Sequence, residues 1–511
     1  MIIAAVSIAL IAVATLLFLA VMRGYLSPDV GVLARLQSKR YSLFEVVDTE
    51  LAKLRSASSV SRERAAQVLR ITRQQEHQYD QHAAEFVTQI AKQSQSPRTS
   101  PPRPLFVPLL SRAQKLFAVC DIDLARWVLN DPVTFERAGA LEAFADAFKL
   151  QSVFTTKNTT LHKELKGFFS RKTNSLSTDQ MASMMEILER RVDSMLSTWS
   201  YDAGVPFIPK VEGMVLEAYA EQFFGMKQFP NAEECGVLLK KVWQIKSLRN
   251  NIPRSAWDPL YWVRMRALQR QLFRIVDDAQ ALVDRDGSPV ADEMAQVYRA
   301  NSYRPGNLLN AIIPLYEAIA RGVVYALIEL ASAPAIQKAL RAEIATQRDE
   351  LQYCRSTTTL LHRIWQETLR LRPPTPNQTR RVTTQQNALF PRGSKVVVVW
   401  SVFHMDPAVW GPRVNRFDPD RWLAATPEQT RNYNPFGTGA QRCVAMNYAS
   451  FGGRVLIKRI VESRSIEHEE RASTIAAVGT DRGYSRGPDP DAATLRFARL
   501  EAKRRAVMGA A

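Results

Sequence analysis

The chain is 511 residues long, 46% hydrophobic and 23% charged, with a formal net charge of +18, the make-up of an ordinary globular protein rather than a disordered or fibrous one. Its four cysteines, Cys120, Cys235, Cys354 and Cys443, are scattered without a CxxC pair, which argues against a disulfide framework and a structural zinc site. The basic residues are spread rather than bunched, so the charge excess suits an anionic surface or an acidic partner and speaks against nucleic-acid binding.

From Met1 to Met22 the chain reads MIIAAVSIALIAVATLLFLAVM, uncharged and close to the ~20 residues a helix needs to cross a bilayer. A cleaved signal peptide would carry a positive leading region and a shorter apolar core. Here the basic residues Arg23, Arg35, Lys39 and Arg40 follow the apolar run. The segment therefore reads as a transmembrane anchor, and the positive-inside tendency puts the body of the chain in the cytosol. The sequons at Asn158 and Asn377 are then expected to stay unglycosylated.

Residues 23–108 read as a connecting segment: a polar, helical stretch from Val30 to Lys92, then the stiff Pro-rich spacer SQSPRTSPPRP (Ser94–Pro104). The body is expected over 109–511, with no linker dividing its second half. Helical spacing of apolar residues predicts helices over Met181–Trp199 and Val323–Ile344. EGMVLEAYAEQFFGM (Glu212–Met226) also reads as a helix, serving either as the roof of a pocket or as core. Strand signals are few and late: KVVVVWSVF (Lys395–Phe403), after a Pro-Arg-Gly turn, and LRFARL (Leu495–Leu500). The fold class is mainly α with a small β-sheet region.

NPFGTGAQRCVAMNYASFGG (Asn434–Gly453) places Gly437 and Gly439 just ahead of Cys443 and a helix-compatible run after it. A buried structural cysteine is the plain reading. Against it, the glycines give the backbone freedom for a tight loop. A helix start near the sulfur would lower the thiol pKa and favour thiolate. Phe436 would shield a flat ligand. A thiolate so held is a good axial ligand for haem iron. Upstream, IWQETLRLRPPTP spaces Glu367 and Arg370 at i and i+3, on one helix face. Such a pair is either a solvated surface pair worth about 0–1 kcal/mol or part of a network closed by an arginine of RFDPDRW (Arg416–Trp422).

In this order and at these separations, the three elements resemble the haem-thiolate monooxygenases, the cytochromes P-450. The resemblance runs from about Tyr325 to Ile460, and more faintly from Leu124 to Lys172. It implies the cytochrome P-450 fold preceded by one N-terminal transmembrane helix. It also implies a haem b whose axial ligand is the Cys443 thiolate, lying in a loop with Phe436, Gly437, Gly439 and Arg442. Glu367, Arg370 and Arg416 would be structural, fixing that loop. In TLHKELKGFF, His162 and Lys166 stand where the family binds haem propionates, and Arg380 or Arg381, with Arg381 preferred, takes the third such position.

Two departures from the family pattern matter. Gln441 replaces an arginine two places before the cysteine, with Arg442 shifted by one, and Ala445 replaces the closing glycine. On the distal helix, Pro314-Leu315-Tyr316-Glu317-Ala318-Ile319 lies over Ala/Gly-Gly-x-Asp/Glu-Thr-Thr. The acid survives as Glu317, but the proton-handling threonine is Ala318, and Pro314 would kink the helix.

The resemblance implies a membrane-bound enzyme of the endoplasmic reticulum that oxidises a small, largely apolar substrate. Oxygen and NADPH electrons would arrive through a flavoprotein reductase, in a specialised biosynthetic step. Arg442, Arg454 and Lys458 would face that acidic partner, or simply line a solvated helix face. The incomplete proton relay leaves open a haem-thiolate reaction without oxygen insertion, such as ring closure, coupling, dehydration or isomerisation. A haem carrier or sensor, and an anchored helical scaffold, are the remaining readings.

Overall fold

The structure is a computed structural model that describes residues 105–107, 116–119, 121–138, 152–153, 156, 159–174, 176–201, 203–251, 261–303, 309–375, 377–384, 389–439, 442–468, 494–498 and 500. The expected anchor at Met1–Met22, the helical stretch from Val30 to Lys92, the spacer Ser94–Pro104 and Gln441 lie outside the described residues. Among the described residues, no single helix is long and apolar enough to cross a membrane.

Short strands β1 (Leu105–Val107) and β2 (Leu116–Val119) lead to helix α1 (Ile122–Asn130). The carboxylate of Asp121 caps α1, accepting from the N–H groups of Asp123 and Leu124. Strand β3 (Phe135–Arg137) is followed by α2 (Thr159–Thr173) and α3 (Thr178–Ser197). The predicted helix at Met181–Trp199 is α3, set two residues earlier at its end, and it begins with a reciprocal Ser177–Gln180 capping box. Strand β4 (Gly204–Val205) precedes α4 (Phe207–Phe224), α5 (Ala232–Asn251), α6 (Tyr261–Asp286) and α7 (Pro289–Ala300).

The helix expected over Val323–Ile344 is two helices, α8 (Leu309–Ala331) and α9 (Pro334–Ala345), bent by 112° at the break between them. Pro334 explains the break: it has no N–H to continue α8 but suits the first turn of α9. Pro314, by contrast, lies within α8, which continues through it. After α10 (Glu350–Arg355) comes α11 (Leu360–Leu371). Strands β5 (Asn377–Val382) and β6 (Lys395–Val399) follow.

The strand expected over Lys395–Phe403 therefore ends at Val399. The chain turns into α12 (Trp400–His404), which brings Trp400 and Phe403 into the cluster formed by Phe135, Phe390 and Val398. Next come α13 (Pro407–Trp410), a 3-10 turn (Pro419–Ala424), α14 (Pro427–Asn432) and the long α15 (Met446–Ser463). Strands β7 (Ser465–His468) and β8 (Leu495–Ala498) complete the described elements. The architecture is mainly helical with two small sheets, ordered β1-β2-β6-β5-β3 and β4-β8-β7. In the first sheet β3 pairs antiparallel with β5, setting Arg137 opposite Arg380.

The main core gathers around α8, whose residues from Ile319 to Leu327 are almost all buried. It packs against α4, α11 and α15. Trp365 of α11 fills the meeting point. A methyl placed at Gly322 of α8 would come within 2.6 Å of its indole, and one at Gly453 of α15 within 2.5 Å. Only glycine allows both helices to approach the ring this closely. Removing such a buried aromatic costs about 3–5 kcal/mol.

Candidate active site

Between α14 and α15 the chain folds into the loop that holds Cys443. Gly437 and Gly439 take positive φ angles of 71° and 73°, the left-handed region that glycine enters freely. A side chain at Gly437 would also meet Gln378 Nε2 at 2.7 Å. The loop closes on itself. Cys443 N–H donates to Phe436 O at 3.0 Å, Arg442 N–H to Gly439 O at 3.0 Å, and Gly437 N–H to Asn434 O at 3.0 Å.

A buried ion pair beside the loop connects it to α11. Glu367 and Arg370 are both 0% exposed, so the surface-pair reading does not hold. Arg370 Nε and Nη2 reach the two Glu367 oxygens at 2.9 and 2.8 Å, a bidentate bond of the stronger, charge-assisted kind. The same guanidinium donates to the carbonyls of His404 and Val414, each at 2.8 Å. The expected third member is corrected. Arg416 offers only its carbonyl, 3.5 Å from Arg370 Nη2. Trp422 Nε1 at 3.0 Å and Arg421 Nε at 3.4 Å supply the side chains that meet Glu367. Arg421 wins because its guanidinium also donates to the carbonyls of Trp410 and Arg413, holding the 3-10 turn over Glu367.

His404, which sequence reasoning missed, completes the link. Its carbonyl accepts from Arg370, and its Nε2 accepts from Asn434 N–H at 3.0 Å, at the start of the loop. Burial, and then the Arg370 charge, push its pKa down to about 3, so the ring is neutral and a competent acceptor.

The loop forms one wall of a cavity that encloses about 1360 Å³ of empty space, counting its open mouth. Cys443, Phe436, Gly437 and Arg442 line it from the loop, and Ala318 and Ile319 from α8. Arg137, Lys166 and Arg380 add three more basic side chains, and none of the described lining residues is a carboxylate. Gly439 is not among the lining residues; its place is beside Asn130 of α1.

Several expectations are revised by this geometry. His162 lines the cavity, but both its nitrogens are engaged. Nδ1 lies 3.1 Å from Val153 O, and Nε2 lies 3.0 Å from Arg137 Nη2, from which it accepts. Burial, with Arg137 second, lowers its pKa to about 4, so it is neutral near pH 7 and the charge at this point belongs to Arg137. On β5 it is Arg380, 2% exposed, that lines the cavity; Arg381 pairs with Glu136 at 3.7 Å instead. Neighbouring strand residues face opposite ways, so only one of the two can point inward.

The thiol of Cys443 was expected to be acidified by the helix start. Burial instead raises its pKa, while the Ala445 N–H and the charges of Arg442 and Lys166 pull it down less strongly. The helix α15 starts only at Met446. Its end charge falls off within a turn and does not offset the lost water. Lys166 itself is lowered, by burial first and by Arg137 second.

Glu317 is not among the cavity-lining residues. Its carboxylate accepts from Arg321 Nη2 at 2.9 Å, one turn along α8. Arg321 is buried and also feels Glu212, which is paired with Lys240 of α5. Nor do Arg454 and Lys458 face outward as expected: both are buried, and Lys458 meets Glu189, Glu350 and Glu462.

Residues 316–477, which hold the Ala318 wall, the Glu367–Arg370 pair and Cys443, match the family model for cytochrome P450. This chain carries a cytochrome P450 domain. The P450 is 23% identical to "Cyclooctatin synthase" of Streptomyces melanosporofaciens over 375 residues, 67% of this chain and 76% of that one. It is 24% identical to "Cytochrome P450 monooxygenase ptmK" of Penicillium ochrochloron over 258 residues, 45% of this chain and 50% of that one. With "Cytochrome P450 monooxygenase oblB" of Aspergillus clavatus it shares 40% over 99 residues, 18% of this chain and 19% of that one. The chain thus spans about three quarters of the first and half or less of the other two.

The family implies a haem with thiolate ligation and electrons from a redox partner. The residues of this P450 enzyme fit that group. The cavity has a largely apolar lining, a sulfur donor in its wall and four cationic side chains, as a flat molecule with two acidic side arms requires.

Proposed function

We propose that this P450 is a membrane-anchored haem-thiolate monooxygenase of the endoplasmic reticulum, facing the cytosol. It uses haem b and NADPH electrons delivered by a flavoprotein reductase to oxidise a small, largely apolar organic substrate. The observation that carries the reading is the shared cavity, in which Cys443, Arg137, Lys166, Arg380 and Arg442 meet the α8 residues Ala318 and Ile319. When bound, haem supplies one-electron chemistry and the activation of dioxygen. Cys443 would be its thiolate ligand, and the four cations would hold its acidic arms. The Glu367–Arg370–His404 chain keeps the cysteine loop in place. A relative named as a synthase of one product supports a biosynthetic rather than a scavenging role.

The test is the absorption spectrum of the reduced, carbon-monoxide-bound protein. The thiolate signature is expected in the wild type and absent in Cys443→Ser. A colourless wild type, or an unchanged spectrum in the variant, overturns the assignment. For the anchor, deleting residues 2–22 is expected to move the protein from the membrane to the soluble fraction; retention in the membrane would contradict it.

Ala318 favours a second reading. It carries no hydroxyl, and the adjacent acid Glu317 is held by Arg321, so protons must come through water or from a substrate hydroxyl. A redox-neutral reaction, such as isomerisation or dehydration, reduces no oxygen and needs none of that delivery. Labelled dioxygen separates the two: label in the product supports the monooxygenase, and product formed without label and without oxygen consumption supports the second reading.

A further inference from the structure

A second cavity shares Trp365 and Phe436 with the first and lies among the end of α2, α11 and the first turns of α15. It encloses about 1100 Å³, counting its mouth. Its deepest charged group is Arg454, only 6% exposed. The guanidinium donates from Nε to Ser450 O at 2.9 Å, and from Nη1 to Ser356 O at 2.8 Å and to His362 Nδ1 at 3.0 Å. All three acceptors are neutral. None of the described lining residues is a carboxylate, and Arg454 makes no ion pair among the described residues. Burying a guanidinium without a counter-ion is expensive. Elsewhere this chain supplies one: Arg370 has Glu367, Arg321 has Glu317, and Lys458 has three glutamates.

A second observation is independent of the first. Trp365 is 2% exposed, and its Nε1–H has no acceptor among the described residues. A buried donor left unmade is costly. Four further aromatic residues, Tyr433, Phe436, Tyr448 and Phe451, line the wall together with apolar Leu176, Met181 and Met446, several neutral polar residues and the exposed Arg355. A buried cation without a counter-ion beside a cluster of aromatic rings describes a complementary molecule with one anionic acceptor group and an apolar body, and the Trp365 donor lies between this cavity and the first.

We propose that this cavity is a binding site for a small amphipathic carboxylate, whose acidic group meets Arg454 and whose apolar body lies against Phe436, Tyr433 and Phe451. An inorganic anion would leave the aromatic wall unused. A protein surface would have to reach a guanidinium that is almost fully enclosed. Phe436 and Trp365 belong to both cavities, so an occupant here touches two walls of the cysteine pocket.

The experiment is calorimetric titration of the full-length protein with 4-phenylbutyrate and, in parallel, with the uncharged 4-phenylbutanol. The acid is expected to bind the wild type at least about tenfold more tightly than the alcohol, as a charge-assisted hydrogen bond predicts. Arg454→Gln should remove that preference. Asn447→Trp, at an exposed position of the lining, should block both probes while leaving the core intact, and it decides the matter should Arg454→Gln fail to fold. No binding by the wild type, equal binding of acid and alcohol, or binding indifferent to both substitutions overturns the proposal. The last result would place the probe in the first cavity or on another surface. Because heat is read rather than turnover, failure here is distinguishable from failure of the haem assignment.

Discussion

Cys443 is pulled in two directions: burial disfavours its charged form, and an N–H group with two nearby cations favours it. Without a metal the first effect is larger. A bound metal ion reverses that balance, because a coordinating thiol loses its proton outright. The Glu367–Arg370 pair is a sharper case, since neither partner touches water. Glu367→Gln leaves Arg370 buried without a counter-charge and should cost about 3–5 kcal/mol, read as a lower urea midpoint with an unchanged slope. A loss under 1 kcal/mol would mean that water reaches the pair. At Ala318, substitution by threonine restores a hydroxyl to the cavity wall. Product formed per electron pair supplied should then rise if proton supply limits the reaction; an unchanged ratio would show that it does not.

Elements account for what those residues can do. The cysteine loop was legible in sequence because its glycines sit where positive φ is required, and such positions leave a signature. The Glu367–Arg370 spacing was legible too, but not its burial, which depends on the 3-10 turn folding back over it. Arginines at 413, 416 and 421 all lie close along the chain, and only the tertiary path decides which guanidinium arrives. Arg137 left no local signal, because its place in the cavity follows from β3 pairing with β5. His404 was equally silent, being one residue that works through both its carbonyl and its ring. His404→Phe keeps an aromatic ring against Trp400 but removes the acceptor for Asn434 N–H. The expected cost is about 1–3 kcal/mol, with faster hydrogen exchange across Asn434–Cys443. Protection equal to wild type would show that the loop holds itself.

Across the whole molecule, three histidines are folded in their neutral form. From an ordinary value of 6.5, burial lowers His162 and His362 to about 4 and His404 to about 3. The unfolded chain therefore binds more protons than the folded one between these values and 6.5. The stability they contribute is complete above about pH 6.5 and is lost as the pH falls toward 4. Urea midpoints should drop over this window, and the drop should be shallower in the double variant His162→Gln/His362→Gln. Equal slopes in the two proteins would place the acid sensitivity in other groups. Periodicity in the sequence located α3, much of α4 and the run that became α8 and α9, because their buried faces recur every turn, but it did not mark α5 or α6. It missed the break at Pro334, where the apolar pattern carries on across a change of direction.

The Trp365 indole has a mechanical consequence. Wedged against Gly322 on one side and Gly453 on the other, it works as a shim, and its thickness fixes the gap between the helix bearing Ala318 and the helix that begins just past Cys443. Room for a reactant between those two walls is thus gauged by a ring that makes no chemistry of its own. A single added carbon at either glycine would jack the walls apart or evict the ring, altering the working clearance from a position outside the cavity lining.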